Sequence, residues 1–249
     1  ESLLPLLEQG MITADRPAIL AGDRAVTATA APGPWLVTDG LRRRERNVGR
    51  VRNNVSQTFT ADETSRQGRT TLDILPFPGD EHQTTAVYQG VRAVTASSAA
   101  SFADAPTGTE PSRLPFAAID GDPRTAWVSA SLDGPAGQWL EVNLDTPRRI
   151  PQVEIRFVDD VRVGWRVTRF RLTTDRGSID QEVTPEGTYP LPSGLVTSIR
   201  VTVLAVTDGR ATGNVGIQEL GMSGVSTNRA LRVPDDQAGA TTPPGYVFS

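Results

Sequence analysis

The 249-residue sequence contains no cysteine and a single histidine, and each scarcity removes a class of function. Without cysteine there is no disulfide framework and no zinc site built from thiolates. The one histidine, His82, cannot form a Ser-His-Asp site without a nucleophile, and no Gly-x-Ser-x-Gly motif supplies one. The sequence also has no phosphate-binding loop and no dinucleotide-binding glycine fingerprint. It therefore offers no familiar catalytic motif.

Long apolar runs and an excess of basic charge are missing as well. No apolar stretch approaches the roughly 20 residues that a transmembrane helix needs, and residues 1–10 lack the charged start of a signal peptide. The net charge is −4, so the composition does not favour a nucleic-acid partner. The chain begins abruptly and ends in a polar tail, and we interpret it as an excised fragment.

Glycine and proline are abundant, with 23 and 19 residues, which favours a turn-rich β fold. Residues 1–86 contain short apolar strands at 17–22 and 34–40 beside helical stretches, and they predict a small α/β or α+β lobe. Period-two strands recur over residues 87–232, which predicts a mainly β domain built as a two-sheet sandwich or jelly roll. Residues 233–249 are interpreted as a linker or as a strap back onto the domain.

The strand alternation also predicts which side chains face the core. The predicted inward residues are Leu140, Val142 and Leu144 in one strand, Thr168, Phe170 and Leu172 in another, and the tryptophans Trp127 and Trp139. Glu219 falls in the same phase as Val215 and Ile217, which we take as the core phase. A carboxylate that points inward needs a cation or several hydrogen-bond donors, because an isolated buried charge is costly.

A tight acidic loop supplies candidate ligands for such a cation. Asp120, Asp122 and Thr125 offer three hard oxygen donors, and Glu219 would add a fourth. Calcium takes roughly 6–8 oxygen ligands, so backbone carbonyls would complete the site. The sequence therefore predicts a structural calcium (Ca²⁺) site that pins the loop to a late strand. The alternative is that Glu219 pairs with Arg124 or caps loop amides, without a metal.

The same loop carries a family resemblance. Ala117-Ala-Ile-Asp-Gly-Asp-Pro-Arg-Thr-Ala-Trp127, then Gly137-Gln-Trp-Leu-Glu-Val-Asn-Leu144 and the late Gln218-Glu-Leu220, resemble a discoidin domain, also called a coagulation factor 5/8 type C domain. The resemblance covers about residues 92–224. It implies a galactose-binding-like jelly-roll β-sandwich, a fold that also serves as a carbohydrate-binding module. Many members of this fold bind calcium with this loop and this late glutamate.

Other segments resemble a family of transferases. Arg16-Pro-Ala-Ile-Leu-Ala-Gly-Asp23, Val37-Thr-Asp-Gly-Leu-Arg-Arg-Arg-Glu45 and Val94-Thr-Ala-Ser-Ser98 are similar to the soluble C-terminal region of actinobacterial membrane α-(1→3)-arabinofuranosyltransferases of type D. The resemblance implies a part in building the arabinan of arabinogalactan or lipoarabinomannan, at the extracytoplasmic (periplasmic) face of the plasma membrane. The catalytic acidic residue of such enzymes lies in their membrane part, so this chain is expected not to catalyse transfer alone. Its expected partners are an arabinofuranose-containing glycan and the membrane-embedded remainder of the same polypeptide.

Ligands of the discoidin fold sit on loops at one end of the sandwich. Sugars stack on an aromatic ring and form hydrogen bonds with planar polar side chains. The loop over 159–166 combines an aromatic with arginines, and the loop over 208–214 offers polar groups with glycine freedom. The predicted glycan-binding residues are Arg162, Trp165, Asp208, Arg210 and Asn214. Packing within the domain is the alternative role for Trp165.

Two charged features are interpreted as ordinary surface. The basic run Arg42–Arg52 is interpreted as a solvated helix face or a docking surface, and binding of a phosphate group is the alternative. The pairs Asp159–Asp160 and Asp235–Asp236 are assigned to solvated turns, because a glycosidase needs two carboxylates about 5–10 Å apart across a bond. The leading hypothesis is a carbohydrate-binding module, the alternative is a structural docking module, and a hydrolase is the weakest.

Overall fold

The computed structural model describes residues 3–14, 16, 18–20, 35–38, 58, 60–61, 84–101, 110–130, 132, 134–207, 212–234 and 245–248. Several predictions fall outside these residues, namely those on His82, Arg42–Arg52, Asp208, Arg210 and Asp235–Asp236. Two compact units are present, one formed by Glu1–Val87, Pro106–Gly108 and Ala230–Ser249 and one by Tyr88–Ala105 and Thr109–Arg229. No helix in the described part of the chain is long and apolar enough to cross a membrane.

The described part of the chain has one α-helix and fourteen β-strands, with two short 3-10 turns at Pro111–Arg113 and Pro115–Ala118. The helix α1 spans Leu4–Glu8, and a proline in its first turn is compatible with the unpaired amides of a helix start. The strands are β1 (Ala18–Leu20), β2 (Trp35–Thr38), β3 (Thr85–Gln89), β4 (Val91–Ala96), β5 (Trp127–Val128), β6 (Trp139–Arg149), β7 (Gln152–Phe157), β8 (Val167–Thr174), β9 (Gly177–Glu182), β10 (Thr188–Pro190), β11 (Leu195–Val206), β12 (Gly216–Met222), β13 (Asn228–Arg232) and β14 (Gly245–Phe248).

The first unit contains a small parallel sheet in the order β1-β2-β14. Leu36 in the central strand is fully buried, and the indole nitrogen of Trp35 donates a hydrogen bond to the Met11 carbonyl at 3.0 Å. The hydroxyl of Tyr246 in β14 donates to the Pro234 carbonyl at 2.9 Å. Strand β14 in the tail therefore pairs in the sheet of this first unit.

The second unit is the predicted jelly-roll sandwich. A four-stranded antiparallel sheet in the order β10-β7-β12-β5 and a five-stranded antiparallel sheet in the order β4-β6-β11-β8-β9 make its two layers. The largest fully buried side chains of the core are Trp127, Tyr189, Phe170, Ile119, Leu140, Ile150, Leu172, Ile199, Ile217 and Leu220. Phe170 meets Tyr189 edge-on at 4.8 Å between ring centroids, a favourable aromatic geometry. The mainly β prediction is confirmed.

The predicted inward residues of β6 and most of those of β8 are correct, and two predictions are wrong. Leu140, Val142, Leu144, Phe170 and Leu172 are buried, whereas Thr168 is exposed. The pairing of β8 with β11 shifts between Val203 and Val206, and this bulge turns Thr168 outward and Val167 inward. Trp139 occupies the opposite phase to Leu140 and is only half-buried, with the guanidinium of Arg200 over its ring at 4.2 Å.

The phase predicted for Glu219 is also wrong. The pairing of β12 with β7 shifts between Ile217 and Glu219, so one extra residue, Gln218, interrupts the alternation. After the bulge, Leu220 and Met222 are the buried residues and Glu219 is half-buried. The bulge therefore takes the Glu219 carboxylate out of the core.

Candidate functional site

The loop after the second 3-10 turn gathers several oxygen atoms around one hydroxyl. The Oγ1 atom of Thr125 lies 2.9 Å from each carboxylate oxygen of Asp120, 2.9 Å from the Asp122 carbonyl oxygen and 3.2 Å from the Ala117 carbonyl oxygen. A hydroxyl has one proton, so it donates fully to only one of these four acceptors. The remaining close oxygen pairs have no proton between them, and such an arrangement suits a cation.

A second carboxylate approaches this oxygen cluster from β12. Burial raises the pKa of Glu219, and the negative charge of Asp120 raises it further, against the opposing effects of a hydrogen bond from the Gly121 amide and the charge of Arg156. Glu219 thus caps a loop amide, which is one of the two alternatives to metal binding. Its pairing with Arg124, the other alternative, does not occur because Arg124 pairs with Asp122.

The side chain of Asp122 turns away from the cluster. Arg124 donates to its carboxylate from Nη2 at 2.7 Å, from Nε at 2.9 Å and from its backbone amide at 3.0 Å. The side-chain hydrogen bond from Arg124 is the main reason that the pKa of Asp122 falls to about 2. The backbone of Asp122 therefore joins the cluster and its carboxylate does not: its carbonyl contacts Thr125, and its amide donates to the Asp120 carboxylate at 2.9 Å.

The donor set for a metal is consequently mixed. Within the described residues, no three Asp, Glu, His or Cys side chains come together to hold a metal ion. The cluster instead offers the carboxylates of Asp120 and Glu219, the hydroxyl of Thr125 and the carbonyls of Ala117 and Asp122. Hard oxygen donors of this kind fit calcium, which binds carboxylates and backbone carbonyls together.

The structure brings two of the predicted glycan-binding residues together. The backbone amide of Trp165 donates to the Asn214 carbonyl at 2.7 Å, and its indole nitrogen donates to the Thr212 carbonyl at 3.0 Å. The side chain of Asn214 donates to the Ser129 carbonyl at 2.6 Å. Trp165 is half-buried and packs against the core, so much of its role is to hold these loops to the sandwich.

The arginines of the 159–166 loop have carboxylate partners. Arg162 donates from Nη2 to Asp160 at 2.6 Å, and Arg166 donates from Nε to Asp159 at 2.7 Å. The side chain of Arg162 is 86% exposed, so this pair stays open to solvent and contributes little to stability. Each aspartate therefore has its own arginine, as expected of solvated turn residues.

A groove of about 630 Å³ joins the loop over 120–125, called the metal loop after the site predicted for it, to the 159–166 loop. Pro123, Arg124 and Thr125 line one side and Asp159, Asp160 and Val163 line the other. We call it the loop groove. Its lining includes Arg113, Arg156 and Phe157, which the sequence analysis did not select. Of these three residues, only Arg156 could have been found from the sequence. Successive residues of a strand face opposite sides, and the alternation of β7 places Arg156 on the outward face.

The two-sheet sandwich of the second unit belongs to a known class of domain. The family model described as F5/8 type C domain matches residues 93–182, within the second unit. A second family model, described as α-(1→3)-arabinofuranosyltransferase, N-terminal GT-C domain, matches residues 1–72, within the first unit. The chain thus carries an F5/8 type C domain next to a segment shared with a transferase family.

Individual relatives point to the same family. Two proteins named α-(1→3)-arabinofuranosyltransferase are similar: one from Mycobacterium tuberculosis, 33% identical over 83% of this chain and 15% of the relative, and one from Mycolicibacterium smegmatis, 32% identical over 96% and 18%. A cryo-EM structure of the arabinofuranosyltransferase AftD from Mycobacteria matches with a TM-score of 0.66 and 25% identity, over 89% of this chain and 18% of that chain. The chain spans less than a fifth of these relatives and is homologous to a segment of the α-(1→3)-arabinofuranosyltransferase family.

Proposed function

We propose that this chain is a non-catalytic carbohydrate-binding region of an arabinofuranosyltransferase of the cell envelope. Its ligand is an arabinofuranose-containing glycan of the cell-wall arabinan, bound at the extracytoplasmic face of the plasma membrane. The observation that carries the proposal is the loop groove, a polar concavity at the loops of an F5/8 type C domain in a chain related to arabinan-building transferases. The bound glycan and the membrane-embedded remainder of the polypeptide are its partners.

The lining of the loop groove suits a neutral sugar. The guanidinium groups of Arg113, Arg124 and Arg156 supply donors, and the carboxylates of Asp159 and Asp160 supply acceptors. Sugar hydroxyls both donate and accept, so they match a mixed surface of this kind. Holding the glycan on the same polypeptide as the transferase raises its effective concentration, since a tethered encounter becomes intramolecular.

The two carboxylates that line the loop groove, those of Asp159 and Asp160, support a role without catalysis. A glycosidase needs one carboxylic acid and one carboxylate facing each other across the scissile bond. Asp159 and Asp160 are instead each paired with an arginine of their own loop. The pKa of Asp160 is lowered to about 2, mainly by the hydrogen bond from Arg162, which leaves it fully ionised and unsuited to act as an acid.

We further propose that calcium occupies the oxygen cluster of the metal loop. Asp120, Glu219 and the Thr125 hydroxyl would hold it, with the carbonyls of Ala117 and Asp122. A bound ion would supply positive charge beside the two carboxylates and beside the close oxygen atoms that have no proton between them. Its role would be structural, since it would hold in place the loop whose residues Pro123, Arg124 and Thr125 line the loop groove.

A titration with arabinan fragments tests the glycan proposal. The purified protein in calcium buffer is titrated with a neutral α-arabinofuranosyl tetrasaccharide, followed by calorimetry and backbone NMR. Saturable binding is expected to shift signals around Pro123–Thr125 and Asp159–Val163. Replacing Arg124 by alanine removes a donor of the loop groove and should weaken binding about tenfold.

The matched control is Arg171→Ala. Arg171 pairs with Asp180 much as Arg124 pairs with Asp122, but it lies on the five-stranded sheet outside the loop groove. This variant is expected to bind the tetrasaccharide like the parent chain. Folded protein that shows no saturation at millimolar sugar would overturn glycan binding and favour the structural docking role.

A further inference from the structure

A second and larger concavity lies beside β7. It has a volume of about 1080 Å³ and is lined by Glu154 to Asp159, by the start of β8 and by the turn after β9. Ala205, Glu219 and Gly221 complete its lining. We call it the β7 cleft. Small-molecule sites span roughly 300–1,000 Å³, so this cleft has room for an oligosaccharide rather than a single sugar.

The cleft follows a free strand edge. β10 pairs with β7 over Gln152–Glu154, and the Ile155 amide adds one further bond to the Gly187 carbonyl at 2.7 Å. Beyond that point the only strand that pairs with β7 in the described structure is β12, on its other side. Six consecutive residues of both phases line the cleft, which places the cleft along this edge.

Two local features widen the cleft. The bulge between β8 and β11 leaves both Thr168 and Arg169 exposed to it, where an unbroken strand would turn one of them inward. Gly221 lies within β12, where glycine weakens a strand and often marks the close approach of a ligand. A Cβ atom at Gly221 would lie 3.5 Å from the Glu154 Cβ, an ordinary contact, so neither crowding nor backbone geometry demands glycine there.

The charges of the cleft select against acidic ligands. Its carboxylates outnumber its guanidinium groups even when Glu219, the proposed calcium ligand, is left out: Glu154, Asp159, Glu182 and Glu186 against Arg156, Arg166 and Arg169. Phosphates and uronates would meet net repulsion, whereas neutral hydroxyls find both acceptors and donors. Phe157 and Val183 contribute apolar surface, which suits the carbon face of a sugar ring.

The β7 cleft and the loop groove share four residues, Arg156, Phe157, Val158 and Asp159. We infer that the two form one continuous track, in which the β7 cleft binds the further residues of a neutral, extended oligosaccharide whose end occupies the loop groove. The choice of an arabinofuranosyl chain as the ligand rests on the proposed function. The continuous track predicts separately that the affinity for the oligosaccharide increases with the number of its sugar residues.

A length series tests the track. Neutral α-arabinofuranosyl disaccharide and octasaccharide are titrated into the full chain in calcium buffer, with an oligogalacturonide as the acidic comparison. The octasaccharide is expected to bind about tenfold more tightly than the disaccharide, and the oligogalacturonide to bind no better than the disaccharide. NMR signals of Arg169 and Gly221 are expected to shift with the long chain only.

Filling the cleft should remove the length effect. Gly221→Leu places a side chain in the cleft, and Gln152→Leu adds the same side chain at an exposed position of β7 outside it. The Gly221 variant is expected to bind both sugars with the affinity of the disaccharide, and the Gln152 variant to keep the full difference. Arg169→Ala, an exposed substitution, is expected to lower octasaccharide affinity alone and serves if Gly221→Leu fails to fold.

Each outcome separates the track from the proposed function. Equal affinity for both lengths, with binding intact, would overturn the track and leave glycan binding at the loop groove standing. Tight binding of the oligogalacturonide would overturn the selection for neutral chains. A folded chain that binds neither arabinofuranosyl sugar would overturn both proposals together.

Discussion

Replacing Trp127 by alanine is expected to destabilise the second unit by about 3–5 kcal/mol. Trp127 is fully buried at the pairing of β5 with β12, within the single hydrophobic core of the sandwich. Its indole nitrogen also donates to the Ser98 carbonyl at 2.9 Å, and alanine leaves that carbonyl without this donor. The cost therefore combines lost apolar burial, a cavity and the loss of a part-buried hydrogen bond.

Urea unfolding followed by circular dichroism measures this effect. The matched control is Leu132→Ala, because Leu132 is 89% exposed on a loop near the same strand, and its loss is expected to change stability by less than about 0.5 kcal/mol. If the free energy of unfolding of the Trp127 variant lay within about 1 kcal/mol of that of the parent chain, the core position of Trp127 would be wrong.

Period-two patterns predict much of the sandwich, because each strand buries one face against the facing sheet. Leu140, Val142 and Leu144 follow this rule over the first half of β6. The pattern fails where the pairing itself shifts, at Thr168 and at Glu219, since a bulge is decided by both paired strands and not by one sequence segment. The error at Trp139 has a different cause: its place in a strand pattern was taken to predict the core, although its phase is opposite to that of Leu140.

The candidate sites also differ in how far the sequence predicts them. The short spacing from Asp120 to Thr125 made the metal loop visible in the sequence, because its donors are local. Whether the Asp122 carboxylate joins the oxygen cluster or pairs with Arg124 depends on side-chain geometry, and the spacing of residues in the sequence does not specify that geometry. The β7 cleft is assembled from residues of five strands and a turn that are distant along the chain, so no local sequence motif predicts it.

Calcium is expected to stabilise the parent chain and to have no such effect on a Glu219→Gln variant. A ligand that binds only the folded state adds about 2.7 kcal/mol when its free concentration is about 100 times its dissociation constant. The stabilisation would arise because a bound ion offsets the repulsion between the carboxylates of Glu219 and Asp120. Thermal unfolding with added calcium, and again after chelation, measures the difference.

The choice of glutamine makes the outcome specific to the metal. Its amide oxygen still accepts the hydrogen bond of the Gly121 amide, while the negative charge beside Asp120 is removed. Without calcium, the variant is therefore expected to be at least as stable as the parent chain. With calcium, the parent chain is expected to be the more stable of the two. Glu186→Gln, at an exposed turn, is the control and should respond to calcium like the parent chain. If calcium shifted neither the parent chain nor the control, the oxygen cluster would hold Glu219 through the Gly121 amide alone, and the loop would be ordered without a metal.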